Sequence, residues 1–204
     1  RGLGDVYKRQ INKLCLSGIN AIALASQMIK AGEADIVVAG GMESMSNAPH
    51  LMIGSREGVK YGDWTMKDSL AFDGLFCAID NLGMGESTEK YTAEKGIARK
   101  SQDEFSAMSH AKAAAALETG IFVDEIVPVE IPQRKGDPIV FATDEGVRAD
   151  TTAEVLGNLR PAFAKDGLIT AGSSSQISDG AAVVVVMSEA KAKELGIDFL
   201  ARIG

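Results

Sequence analysis

The stretch Asn12-Lys13-Leu14-Cys15-Leu16-Ser17-Gly18, with the apolar run after it, constrains the fold more than any other part of the chain. Asn12 to Leu14 read as the end of a strand, and Ser17, Gly18 and Asn20 suit a tight strand-to-helix turn. From Ile19 the residues Ile22, Ala23, Ala25, Met28 and Ile29 recur at helical spacing and predict one buried stripe. Cys15 then falls at or just before a helix N-terminus. Unpaired backbone N–H groups and the helix dipole favour an anion there, and the thiolate is the nucleophilic form of cysteine. Position alone leaves a second reading equally open, a buried and inert core cysteine.

Farther along, Ile36-Val37-Val38-Ala39 is a short apolar run between Asp35 and Gly40-Gly41, and reads as a buried parallel strand. Strand end, helix and strand make a βαβ unit, so the fold class is α/β. Residues 48 to about 100 mix Gly, Lys, Asp and single aromatics with poor periodicity, as an excursion from the sheet would. A helix is predicted over 88–100. Ser101-Gln102-Asp103-Glu104 reads as a capping box opening a second helix, which runs through Leu117 and ends near Gly120. Ile126 to Ile131, broken by Pro128, suits an edge strand, and Ile139-Val140-Phe141 a short one. Residues 144 to 170 are loop-rich. Ala181 to Met187 is a valine-rich strand, followed by a short helix capped by Ser188 and ended by Gly196. Phe199 to Ile203 reads as the opening of another strand. Arg1 to Gln10 has no initiator Met and no apolar period, and is set aside as foreign or artefactual.

A hydrophobic share of 46% and a charged share of 24% place the chain among soluble globular proteins. The net charge of -7, with lysines and arginines scattered, argues against nucleic acid as a partner. No apolar run approaches the roughly 20 residues of a membrane span. With no secretory signal, Cys15 and Cys77 read as reduced thiols and a cytoplasmic location is the default. No Cys/His spacing indicates a metal. Gly83-Met84-Gly85 is a poor dinucleotide fingerprint, because no strand precedes it, the third Gly is missing, and Glu86 would repel a pyrophosphate.

Three blocks carry a resemblance. Asn12 to Gly18, then Ala39-Gly40-Gly41-Met42-Glu43-Ser44-Met45-Ser46, resemble the nucleophile segment of the thiolases, the acetyl-CoA acetyltransferase family. Thr170-Ala171-Gly172-Ser173-Ser174-Ser175 with Ser178-Asp179-Gly180-Ala181-Ala182 is the third, in the family's order. The match runs from about residue 11 to the C-terminus and covers about the middle half of a family chain. It implies a partial thiolase fold, a mixed β-sheet with flanking helices interrupted by an inserted α+β loop domain. Residues 11–47 and 177–204 would form the partial α/β domain, and 48–176 the loop domain for tetramerisation and CoA binding.

The resemblance makes Cys15 the acyl-accepting nucleophile. It places Met84 beside the reacting acyl group, with Gly83 where the family often has His. Arg148 would meet the nucleotide end of coenzyme A; without the resemblance it is a solvated loop arginine. Ser175, with Ala171 and Gly172, would let pantetheine lie along the backbone, although Ser173-Ser174-Ser175 stands where the family usually has Asn-Ala-Ser. Coenzyme A is substrate and product, and no separate cofactor is implied. The family's catalytic His, second Cys and Asn are expected from a C-terminal half. His50 and His110 lack that context and read as structural or surface residues, and Cys77 as an apolar filler. The 204 residues alone are therefore expected to be inactive. Acyl-CoA substrates, and a parent homodimer or homotetramer assembled partly through 51–66, are the implied partners. The alternative is a non-catalytic CoA- or acyl-binding module. A β-ketoacyl synthase is disfavoured by the long insert and by Lys13-Leu14-Cys15.

Overall fold

The computed structural model describes residues 8–204. In chain order the helices and strands are α1 (Ser17–Lys30), β1 (Ile36–Glu43), β2 (His50–Leu51), β3 (Lys67–Asp68), β4 (Phe76–Cys77), β5 (Leu82–Gly83), α2 (Met84–Glu94), α3 (Arg99–Thr119), β6 (Val129–Ile131), β7 (Ile139–Phe141), α4 (Ala153–Gly157), β8 (Gly180–Met187) and α5 (Glu189–Leu195). They fall into two compact units. One holds the chain up to Gly74 together with Ile177–Gly204, the other Leu75–Gln176. Most of the segment set aside as foreign, residues 1–7, lies outside the described residues.

In the first unit β1 and β8 pair over their whole length, from Ile36 opposite Met187 to Glu43 opposite Gly180. The pairing is antiparallel, which corrects the expectation of a parallel strand. A continuous apolar run announces burial but not the direction of its neighbour. Helix α1 lies on one face of this pair. Ala25, Ala39 and Val186 are its buried centre, flanked by Ala21, Ile22, Ile29 and Val37. Ala23, expected in the stripe, faces outward, and Ala21 takes its place. Two glycines permit the close packing. A Cβ on Gly40 would overlap the Ala182 carbonyl and sit 2.8 Å from the Val183 Cα, and one on Gly41 would lie 3.0 Å from the Gly18 Cα. The strand predicted for Asn12 to Leu14 is instead a turn, described below. Ser188 caps α5 by accepting the Lys191 N–H, and Gly196 ends it in the left-handed conformation. The strand expected at 199–203 is irregular chain.

In the second unit α2 begins at Met84, four residues earlier than the sequence predicts. Its first turn is closed by Glu86, whose carboxylate accepts the Gly83 N–H at 2.8 Å. The predicted capping box at Ser101 is not one. Helix α3 starts three residues earlier, at Arg99 with Ala98 as its N-cap, and the Ser101 hydroxyl donates to the Ala98 carbonyl instead. A tertiary contact sets that start. Arg99 Nε binds Asp103 at 2.8 Å while its Nη2 donates to the carbonyls of Leu156 and Leu159 at the end of α4. Helix α3 ends, as predicted, on Gly120 with positive φ. Strands β6 and β7 form an antiparallel ladder, Val129 opposite Phe141. Among the described residues no helix is long and apolar enough to cross a membrane.

Candidate active site

Cys15 is an exposed free thiol two residues before the first residue of α1. The turn that presents it is strained and held from both sides. Leu14 has φ +49°, a left-handed conformation that costs a leucine roughly 1–2 kcal/mol. The Asn12 side-chain oxygen accepts the Leu14 N–H at 2.9 Å. The Ser17 hydroxyl accepts the Lys13 N–H at 2.8 Å and donates to the Leu14 carbonyl at 2.7 Å. Two backbone bonds close the turn, Leu16 N–H to the Lys13 carbonyl and Ser17 N–H to the Leu14 carbonyl. Of the residues read in sequence as turn formers, Ser17 is a clamp of this turn, and the other clamp is Asn12, which the sequence placed at a strand end. The thiol is not a packed core cysteine, since it faces solvent at the head of a helix.

A second clamp sits in the same unit, where β1 ends and β8 begins. The Asp179 carboxylate accepts the Ser46 N–H at 2.9 Å, the Ser44 hydroxyl at 3.1 Å, and the Ser46 hydroxyl. The Ser46 hydroxyl first, and then the Ser46 N–H, hold this carboxyl below its ordinary range. It ties the Gly40-Gly41-Met42-Glu43-Ser44 block to Ser178-Asp179-Gly180, so two of the quoted sequence blocks meet in space.

Met84, Arg148, Ala171, Gly172 and Ser175 all belong to the second unit, and Cys15 to the first. Met84 is the first residue of α2 and 43% exposed. A Cβ on the next residue, Gly85, would overlap the Phe163 ring, so the glycine lets that ring lie against the helix start. Arg148 is an exposed loop residue whose backbone N–H is accepted by His110 Nδ1 at 3.2 Å. His110 therefore has a structural contact with the very loop that carries Arg148. Ala171, Gly172 and Ser173 form a single tight turn. Thr170, fully buried, accepts the Gly172 N–H at 3.2 Å, and its own N–H goes to the Ser173 hydroxyl at 3.0 Å. A Cβ on Gly172 would lie 2.5 Å from Leu156 Cδ2. Ser175 and Ala171 are exposed beside this turn. Gln176 connects it to the arginine loop, its Nε2 donating to the Gly146 carbonyl at 3.4 Å. Cys77, partly buried, has its sulfur 3.7 Å from Asp80 Oδ2, and His50 is exposed on β2.

Sequence reasoning read Ser17 only as a turn residue and did not single out Glu89 or Asp179. For Asp179 the signal was present, since it lies inside the Ser178-Asp179-Gly180 block. For Glu89 there was none.

An α/β chain with a thiol at the head of a helix, a glycine pair beneath that helix, and a separate unit of small-residue loops defines a class of protein that other chains share. The N-terminal domain model of the thiolases matches residues 2–190, and the chain belongs to the thiolase family. A probable acetyl-CoA acetyltransferase of Mycolicibacterium smegmatis is 62% identical over 200 residues, 98% of this chain and 52% of that protein. A probable acetyl-CoA acetyltransferase of Mycobacterium tuberculosis is 58% identical over 204 residues, 100% of this chain and 52% of that protein. The crystal structure of the Bacillus anthracis acetyl-CoA acetyltransferase superposes with a TM-score of 0.83 at 42% identity, covering 92% of this chain and 47% of that one. The architecture is thus a partial thiolase fold of the α/β class. The chain spans about half the length of the curated relatives it matches.

Proposed function

We propose that the chain is the nucleophile-bearing part of an acyltransferase that forms an acyl-enzyme on Cys15. The carrying observation is the exposed Cys15 thiol behind the clamped left-handed turn at Leu14, inside the family-matched segment. The Cys15 thiolate adds to the carbonyl carbon of an acyl-CoA. The tetrahedral oxyanion collapses with loss of the coenzyme A thiolate, which takes up a proton, leaving the acyl group on Cys15. A second acetyl-CoA, deprotonated at its methyl carbon, attacks that acyl carbon. A carbon–carbon bond forms and the Cys15 thiolate leaves, giving acetoacetyl-CoA; the reverse course is thiolysis of a 3-ketoacyl-CoA. The backbone N–H of Cys15 would supply one donor to the oxyanion. Met84 would flank the acyl group, Ala171, Gly172 and Ser175 the pantetheine, and Arg148 the nucleotide. A guanidinium matches phosphate or an adenine face.

The base that makes the carbanion and the second thiol are assigned to the half of the relatives' length that this chain does not span, so the 204 residues alone would not turn over. Coenzyme A is both substrate and product here, with no further cofactor. A cytoplasmic homodimer or homotetramer, joined in part through residues 51–66, completes the proposal. A second reading, a CoA-binding module without chemistry, is favoured by one fact: all five coenzyme A candidates lie in the Leu75–Gln176 unit. Thiolysis of acetoacetyl-CoA by a version extended to the relatives' length separates the two. Loss of activity in Cys15→Ala supports the enzyme. Coenzyme A binding unaffected by Cys15→Ala, with no thiolysis in the parent, supports the module.

A further inference from the structure

Glu89 has no part in the chemistry above, yet it is the carboxylate on α2 that the fold encloses most, with 9% exposure. Its two oxygens are divided between two consecutive backbone donors of a distant segment. Oε2 accepts the Leu168 N–H at 2.8 Å and Oε1 the Ile169 N–H at 2.9 Å. Gly167 lies so close that any Cβ there would overlap Oε1. The carboxylate is therefore held by the N–H groups of Leu168 and Ile169 and packed against Gly167. The chain it holds passes at once into buried Ile169 and Thr170, and then into the Ala171–Ser173 turn closed by Thr170 and Ser173. At its other end Glu89 is five residues along the same helix from Met84, about 7.5 Å by helical rise. Hydrogen bonds to an ionised acceptor are the strong ones, and a buried carboxylate that loses them is costly.

We propose that Glu89 is a positioning residue that fixes the Met84 helix and the 171–175 turn in one frame, so that both meet the same acyl-CoA. It rests on the assignment of Met84, Gly172 and Ser175 to coenzyme A. Glu89 touches no substrate. It acts by holding the Leu168-Ile169 peptide, and through it the turn in which Gly172 must lie beside Leu156.

Two variants displace the contact independently. Glu89→Gln keeps the volume but sets an amide NH2 against one of the two N–H donors. Gly167→Ala leaves the carboxylate intact and pushes it away. Backbone amide exchange by NMR on the 204-residue chain reads the turn, and titration with coenzyme A reads the site. In both variants exchange at Leu168, Ile169, Gly172 and Ser173 should quicken by about tenfold or more, with β1 and β8 unchanged, and coenzyme A should bind about tenfold more weakly. Unchanged exchange at these amides overturns the proposal. Faster exchange with unchanged coenzyme A affinity also overturns it, reducing Glu89 to a stabilising residue. If the unaltered chain binds no coenzyme A, the site assignment falls and the positioning role with it, while the exchange data still decide whether Glu89 holds the turn. Should Glu89→Gln fail to fold, Gly167→Ala decides alone.

Discussion

The Ser17 hydroxyl donates to the Leu14 carbonyl at 2.7 Å while accepting the Lys13 N–H, so a single side chain spans the turn in front of Cys15. The left-handed Leu14 and the helix that starts at Ser17 are thereby one device. Ser17→Ala removes both bonds and should cost roughly 1–2 kcal/mol of stability. Denaturant unfolding measures it, and in an extended, active version acylation of Cys15 should slow as well.

Leu14 itself offers a sharper test. At φ +49° glycine would relieve the strain but lose more chain entropy on folding, so Leu14→Gly should be neutral within about 0.5 kcal/mol. A β-branched side chain is worse in this region, and Leu14→Val should destabilise by roughly 1–2 kcal/mol. Equal losses in the two variants would mean that the backbone is not left-handed there.

The glycine pair under α1 should respond unequally. A Cβ on Gly40 meets backbone of β8, whereas one on Gly41 meets Gly18 at 3.0 Å. Gly40→Ala should cost about 3 kcal/mol or prevent folding, and Gly41→Ala about 1 kcal/mol, by thermal or denaturant unfolding.

Asp179 predicts a pH dependence. Its carboxyl is held below the ordinary range by the Ser46 hydroxyl and N–H. A lowered folded-state value means that its contribution is complete above the unfolded value of about 3.9. That contribution is lost as pH falls through the folded value. The melting temperature of Asp179→Asn should therefore lie below that of the parent at neutral pH, and the gap should close in acid. A gap that stays constant down to low pH would exclude the carboxylate as its source.

Arg99 and Asp103 predict a larger effect. Asp103 is 4% exposed, and its partner holds the end of α4 through two carbonyls. Asp103→Ala leaves the guanidinium without its counter-charge. Breaking a buried pair costs about 3–5 kcal/mol, and because the Arg99 side chain keeps 22% exposure we expect roughly 2–3 kcal/mol. Chemical unfolding checks it.

What the sequence made legible was local. Ser188 and Gly196 bracket α5, Gly120 ends α3, and β7 spans the three residues expected, because each depends on near neighbours. Tertiary partners set the rest. Helix α3 begins where Arg99 finds Asp103 and the carbonyls of α4, which outweighs a Ser101 capping pattern. The direction of β1 is decided by β8, far along the chain. Asn12 to Leu14 looked like a strand end because nothing in a leucine announces positive φ; the bonds from Asn12 and Ser17 impose it. Glu89 was illegible for the same reason. A carboxylate in mid-helix ordinarily faces water, and its partners lie 79 and 80 residues away. Two of the blocks read only for their resemblance meet in space, where Ser44 and Ser46 bind Asp179.

The most direct measurement is peptide mass spectrometry after incubation of an extended version with acetyl-CoA and rapid acid quench. We expect one acetyl group, on the peptide containing Cys15, and its absence in Cys15→Ser. An acetyl group on another residue, or acetylation that persists in Cys15→Ser, would contradict the acyl-enzyme assignment.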